Sequence, residues 1–303
     1  MAYNIKSWKL NTVLDNDSTY QNILLDQAMS IYKYDNSHKT KNRTLFLNTN
    51  QEEFSLIEKY IYDIAMFHFN RLNIIFDPTV HYIEFWIRND AITHFHLDKD
   101  ENNYHENDIL ITPLLSCITY LNDNTEKKSE KNINPFYWYP TIITNVTKDD
   151  LENYHNNPNF YKNDCSICYS FPQKMKHICF NGGKYYHTSF NVFNDDNQIN
   201  DRIILAVNLW NIKCLDIQYF DKNNIVTKIK LFNSVQIKKK YQLLSFLNKT
   251  FKNNIYKTNE LNNDFFKYLI TSNDHEQNKL FYKFTKIIQD NNFTDDIVIF
   301  ENV

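Results

Sequence analysis

"THFHLDKDENN", residues 93–103, places His94, His96, Asp98, Asp100 and Glu101, all able to ligate a metal, within eight residues. Along a strand, residues two apart face the same side, so His94, His96 and Asp98 all qualify for one cavity. The stretch reads as His-x-Asp, with His96 and Asp98 as ligands. It reads equally as His-x-His-x4-Glu, with His94, His96 and Glu101. Both readings require another histidine from a distant strand, and both predict the same kind of barrel.

Upstream, "HYIEFWIRND" (81–90) alternates Tyr82, Glu84, Trp86 and Arg88 against Ile83, Phe85 and Ile87. That is a strand with one apolar face and one face prepared for something polar. Downstream, short apolar runs recur: "DILITPLLSCITYLN" (108–122), "PTIITNV" (140–146), "KHICFNGG" (176–183), "YYHTSFNVF" (185–193) and "RIILAVNLW" (202–210). "CLDIQYF" (214–220) and "IVTKIKLF" (225–232) extend the series. No helix alternates with each strand, which points to a sandwich or barrel rather than a doubly wound sheet.

Residues 50–70 carry a helical period in Phe54, Ile57, Ile61, Ile64, Ala65 and His68, with Asn50 and Glu53 as a start signal. His68 on that apolar face reads as a core residue. The helical period returns after residue 236, in Leu243, Leu244 and Leu247, then in Leu280, Phe281, Phe284, Ile287 and Ile288. The expected plan is α+β and mainly β. A helical support region (1–75) precedes a β core (76–235), and a C-terminal helical region (236–303) follows. The core is interrupted by an insertion at about 122–174, in which 147–165 read as a polar loop.

With 42% hydrophobic and 16% aromatic residues, 303 residues can bury a sizeable core. A net charge of −3 argues against nucleic acid or an acidic lipid surface as partner. No apolar run approaches the ~20 residues that span a bilayer, and the N-terminus lacks the apolar core of a signal peptide. Five cysteines at irregular spacing suggest a reducing, intracellular setting. Cys165-Ser-Ile-Cys168 has CxxC spacing, but no second pair completes a zinc site. The chain has two glycines, and they are adjacent: Gly182-Gly183.

His187, four residues beyond Gly183 on a short β segment, is the best candidate for the distant histidine. Two imidazoles and one carboxylate on one face leave three positions of an octahedral metal open. The four-ligand alternative takes His94, His96, Glu101 and His187. Arg202, fifteen positions after His187, opens the next strand and favours the three-ligand set, because a guanidinium there pairs bidentately with the far end of a chelating dicarboxylate. Asp195 and Asp201 are its competing local partners.

"EFWIRNDAITHFHLDKDE" (84–101), "CITYLND" (117–123), "HICFNGGKYYHTS" (177–189) and "RIILAVNLW" together resemble the Fe(II)/2-oxoglutarate-dependent oxygenases over roughly residues 80–212. The resemblance implies a double-stranded β-helix, a jelly-roll or cupin-like barrel, flanked here by N- and C-terminal helices. It implies Fe(II) on His96, Asp98 and His187, 2-oxoglutarate clamped by Arg202, and Tyr120 as a hydroxyl donor to that co-substrate. The implied activity is a dioxygenase: a substrate is hydroxylated by O₂ with release of succinate and CO₂, with ascorbate as an accessory reductant. Trp86, Arg88, Tyr104 and His105 are candidates to face a primary substrate such as a peptide or protein, a sugar or another small molecule. Two alternatives stand beside this reading: a cupin-type metalloenzyme that does not use 2-oxoglutarate, and a non-catalytic barrel used for protein binding.

Overall fold

The computed structural model describes residues 5–13, 17–38, 44–89, 93–122, 140–157, 160, 162, 164–189, 202–221, 236–247, 253–259, 261, 274–290 and 297–302. Its elements begin with β1 (Lys6–Thr12), α1 (Asp17–His38), β2 (Leu45–Phe46), β3 (Glu53–Phe54) and α2 (Leu56–Arg71). There follow β4 (Tyr82–Arg88), β5 (Thr93–His96), α3 (Glu101–Asn107), β6 (Leu115–Tyr120), β7 (Thr141–Thr144), α4 (Lys148–Asn156) and β8 (Ser166–Ser170). Then come β9 (Lys176–Phe180), β10 (His187–Ser189), β11 (Ile204–Trp210), β12 (Ile237–Lys238) and β13 (Leu244–Leu247). The chain ends in β14 (Asn253–Thr258), α5 (Asp274–Asp290) and β15 (Ile297–Asn302).

The eight strands β4 to β11 pair as a long hairpin folded on itself. Its outermost strands β4 and β11 pair, then β5 with β10, β6 with β9 and β7 with β8, all antiparallel. The rungs β6·β11 and β7·β10 join these pairs into two sheets. The first sheet runs β13-β1-β9-β6-β11-β4-β2 and the second β14-β15-β8-β7-β10-β5. This pairing is the double-stranded β-helix, or jelly roll.

Strand alternation separates the layers. Ile83, Phe85, Ile87, Leu205, Val207 and Leu209 join α1 and α2 in the largest core, outside the first sheet. Ile118, Tyr120, Ile143, Cys168, Ile178, Phe180 and Ile204 form the core between the sheets. A third core covers the outer face of the second sheet with Phe281, Phe284 and Ile288 of α5. The polar face expected on β4, with Glu84, Trp86 and Arg88, thus looks inward, which is the first sign of an internal site.

Several local expectations change. The start of α2 is a capping box of Ser55 and Glu58, rather than Asn50 and Glu53. The N-terminal region adds a strand, β1, to the first sheet. Leu244 and Leu247 lie in β13 rather than a helix: β13 pairs with β1, and Asp63 of α2 accepts the backbone N–H groups of Leu243 and Leu244. A carboxylate held by buried Lys59 therefore decides what leucine spacing left open. Residues 148–156, read as loop, are α4, opened by a capping box of Thr147 and Asp150. The segment read as an insertion supplies β7 and β8 to the second sheet. Residues 225–232 lie outside the described residues. Among the described residues no helix is long and apolar enough to cross a membrane.

Candidate metal centre

The register of β5 and β10 sets His96 directly opposite His187, so candidate ligands 91 residues apart become cross-strand neighbours with ring centroids 4.4 Å apart. The chain leaves β5 after His96, and the backbone N–H of Asp98 donates to Gly182 O at 2.9 Å. That bond turns the Asp98 carboxylate toward both rings. Asp98 Oδ1 lies 3.8 Å from His96 Nε2 and 3.6 Å from His187 Nε2, and one ligand atom from each residue lies within 4.8 Å of the others. One ion can bridge all three.

The hydrogen bonds behind these atoms test the fit. His96 Nδ1 lies 2.6 Å from His94 O, and His187 Nδ1 lies 3.1 Å from Tyr185 O. A carbonyl only accepts, so both Nδ1 atoms carry a proton and both Nε2 atoms face Asp98. Metal-ligating histidines are oriented in this way. Asp98 Oδ2 accepts from Ser116 Oγ at 2.5 Å, leaving Oδ1 for the ion. Burial and the neighbouring His187 hold His96 down at about 4, so the ring is neutral at neutral pH. Burial by itself would raise the Asp98 carboxyl, but His187, His96 and Ser116 outweigh it and hold it at about 2. His96 and Asp98 are therefore free of competing protons at neutral pH.

The remaining members of the opening stretch have other tasks. Asp100 is the N-cap of α3, accepting from Asn103 N at 3.0 Å and Leu215 N at 2.8 Å. Glu101 is exposed and pairs with Lys99 and His105 at 3.4 Å each. The side chain of His94 is exposed, and its carbonyl serves His96. The cupin-like set of His94, His96, Glu101 and His187 is not assembled.

Arg202, 2% exposed, lines the same cavity as His96, Asp98 and His187, together with Thr141, Ile118, Phe180 and Ile204. Its Nη2 donates to Thr141 Oγ1 at 3.2 Å and its Cζ lies 5.5 Å from the centre of the Tyr120 ring. The buried ammonium of Lys176, 5.9 Å from that ring, adds a second cation at this end. Asp195 and Asp201, its competing partners, lie outside the described residues.

Tyr120 does not line the cavity. Its hydroxyl lies 2.8 Å from Thr141 Oγ1 and 2.9 Å from Ser170 O, and its ring packs against Arg202. The hydroxyl that faces the cavity beside Arg202 is Thr141, which sequence reasoning missed. Ser116 was missed too, and only its neighbour Gly182 carried a signal.

A second cluster, His68, Cys117 and His177, lies outside the first sheet. Arg71 Nε donates to His68 Nδ1 at 3.2 Å, so the ring proton sits on Nε2. From there it points to His177 Nε2 at 2.8 Å, and His177 Nδ1 in turn faces Thr119 Oγ1 at 2.8 Å. Ring protons and lone pairs satisfy one another beside a guanidinium, which opposes a cation. Burial, with His177 and Arg71, holds His68 well below its usual value; burial and Arg71 hold His177 at about 3. This is a neutral tie between α2 and the sheet. Cys165 and Cys168 belong to cores on opposite faces of β8 and share no site.

No family model and no curated protein matches this sequence. Solved structures overlap it loosely. A prolyl-4-hydroxylase from Pseudomonas putida is 11% identical, with 70% of this chain and 94% of that chain covered and a TM-score of 0.37. EctD from S. alaskensis with 2-oxoglutarate and 5-hydroxyectoine is 14% identical, covering 68% and 72%, with a TM-score of 0.37. HygX from Streptomyces hygroscopicus with nickel and 2-oxoglutarate bound is 10% identical, covering 69% and 83%, with a TM-score of 0.33. The strand pairing of β4 to β11 and the geometry of the three ligands carry the reading of this chain.

Proposed function

We propose that the protein is an Fe(II)- and 2-oxoglutarate-dependent dioxygenase that hydroxylates a primary substrate at the His96–Asp98–His187 centre. The observation that carries the reading is the pairing, in one cavity, of a two-histidine, one-carboxylate face with a buried arginine. Iron held there supplies the oxygen and redox chemistry: O₂ and 2-oxoglutarate are consumed, a substrate C–H becomes C–OH, and succinate and CO₂ are released. His94 O and Tyr185 O keep the imidazole protons away from the ion, and Ser116 holds the carboxylate. Arg202 pairs with the far carboxylate of 2-oxoglutarate. Thr141 Oγ1 accepts from Arg202 and so holds the guanidinium in place for that carboxylate.

Ile118, Phe180, Ile204 and Trp86 give this part of the site an apolar lining. The catalytic unit is 76–235, supported by 1–75 and 236–303. All five cysteines are free thiols, which suits an intracellular protein. Succinate formation from 2-oxoglutarate with Fe(II) and ascorbate tests the reading. Turnover is lost in Asp98→Ala and Arg202→Ala and kept in Glu101→Ala. Turnover that survives Asp98→Ala but not Glu101→Ala refutes it, and a folded wild type that does not bind 2-oxoglutarate returns the barrel to a binding role.

A further inference from the structure

Beside the metal centre a vestibule of about 510 Å³ is lined by Thr44, Glu84, Trp86, Lys99, His105 and Asn208, among others. Asn208 and Trp86 line both this vestibule and the inner cavity that holds Arg202, so they stand where the two meet. Asn208 is 3% exposed, and its Oδ1 is buried with no hydrogen-bond partner in the protein. Burying a carbonyl oxygen without a donor is costly, so such an atom calls for an explanation.

Its neighbour explains the orientation. Glu84 lies directly opposite Asn208 on β4, and its Oε2 accepts from Trp210 Nε1 at 2.9 Å and, more loosely, from Asn208 Nδ2 at 3.4 Å. Thr44 is a third donor to the same carboxylate. Burial raises Glu84 to about 7, but the Oε2 that faces Asn208 already accepts from Trp210 Nε1, so the amide nitrogen stays toward Glu84 and the oxygen away from it. On its other side Asn208 is opposite Ser116, the residue that holds Asp98. Neighbouring strands are ~4.8 Å apart, so a group bonded to Oδ1 lies beside the metal centre.

Resting on the dioxygenase reading, we propose that Asn208 Oδ1 reads the primary substrate by accepting a hydrogen bond from an uncharged planar N–H donor, a carboxamide, packed along Trp86. Glu84 is the positioning residue that keeps the oxygen presented. An uncharged group fits beside the charged groups of the lining, where Lys99 lies against Glu101 and Asp100 caps α3. The Trp86 ring offers an apolar face to a planar amide.

The test is ligand titration by saturation-transfer NMR on the full-length, metal-free protein. The probes are benzamide, which has the N–H donor, and N,N-dimethylbenzamide, which lacks it. Wild type binds benzamide about tenfold more tightly than the dimethyl probe. Asn208→Leu abolishes that preference, as does Glu84→Ala, while Glu84→Gln, which keeps an oxygen for Trp210 and Asn208, retains it. Equal binding of the two probes by wild type, no binding of benzamide, or an unchanged preference in Asn208→Leu overturns the proposal. The wild-type comparison needs no variant to fold. Because it needs no turnover, a failure of 2-oxoglutarate oxidation refutes the dioxygenase reading separately.

Discussion

A methyl group added at Gly182 gives the sharpest test of the metal centre. Gly182 has no left-handed backbone requirement; among the described residues positive φ is confined to Asn73, Asp108, Met175 and Asp216. What it supplies is room. A Cβ there would stand 2.8 Å from Ser116 Cβ, and closer still to Ser116 Oγ and Asp98 Oδ2, the two atoms of the bond that holds the metal-ligating carboxylate. Carbon atoms in contact rest at ~3.5–4.0 Å, so the pair must separate or the Gly182 turn must retreat with the Asp98 N–H bonded to it. Either movement weakens a charge-assisted hydrogen bond worth ~1.5–3 kcal/mol. That corresponds to roughly 10- to 150-fold in metal affinity at ~1.4 kcal/mol per decade, in line with the ~10- to 100-fold typical of groups that orient metal ligands. Co(II) titration of purified Gly182→Ala, with urea unfolding alongside, measures both consequences. Gly183→Ala is the control: its Cβ meets Thr112 Oγ1 at 2.8 Å and Pro113 Cδ at 3.2 Å, so it overpacks the loop without touching a ligand. It should lose ~1–3 kcal/mol of stability and keep its metal affinity. A folded Gly182→Ala that binds Co(II) within threefold of wild type refutes the reasoning.

Metal analysis should find one ion per chain, lost in Asp98→Ala and kept in Cys117→Ser; loss in Cys117→Ser would mean that the second histidine cluster is the metal site. Thr141→Val removes the acceptor of Arg202 Nη2 and should raise the KM for 2-oxoglutarate about tenfold, whereas Tyr120→Phe changes it less than threefold; the reverse order of effects would restore Tyr120 as the co-substrate hydroxyl. His68 and His177 are held neutral in the fold but titrate near 6.5 once unfolded. Their contribution to stability is complete above pH 6.5 and is lost as the pH falls toward about 3, the folded value for His177. Between pH 7 and 5 the His177 ring accounts for ~2 kcal/mol and His68 acts in the same direction, so urea unfolding should show a clear acid slope that His177→Asn reduces; a flat profile in wild type would count against the neutral tie.

Seven of the eight strands of the barrel were legible as short runs, because β4 alternates strictly and β6 and β11 are mostly apolar; β8, directly after the segment read as a polar loop, was not. Where two structures share a pattern, the sequence was silent. Leu243, Leu244 and Leu247 satisfy a helix as well as a strand, and the deciding group, Asp63, lies 180 residues earlier on α2. α4 was hidden because its nine residues bury none fully and carry only Leu151 and Tyr154 toward the core, too short a stripe to read. Tyr120 was placed on the right strand and the right face, yet its hydroxyl reaches past the cavity to Ser170. Strand period fixes a side chain's face and says nothing of its length, so the longer side chain passed by and the shorter Thr141 took the place beside Arg202.

The same limit explains why residue type alone does not identify a metal centre in this chain. His96–Asp98–His187 and His68–Cys117–His177 both bring two imidazoles and a third donor together. What separates them is the partner of each Nδ1. Backbone carbonyls at His94 and Tyr185 force the proton onto Nδ1 and leave Nε2 to a metal. The guanidinium of Arg71 forces the proton onto Nε2 of His68 and turns the second pair into a closed hydrogen-bonded chain. A donor or an acceptor behind the ring thus selects between ligand and tie. In "THFHLDKDENN" that acceptor is the backbone of His94, whose side chain had looked like a ligand and whose carbonyl instead orients one.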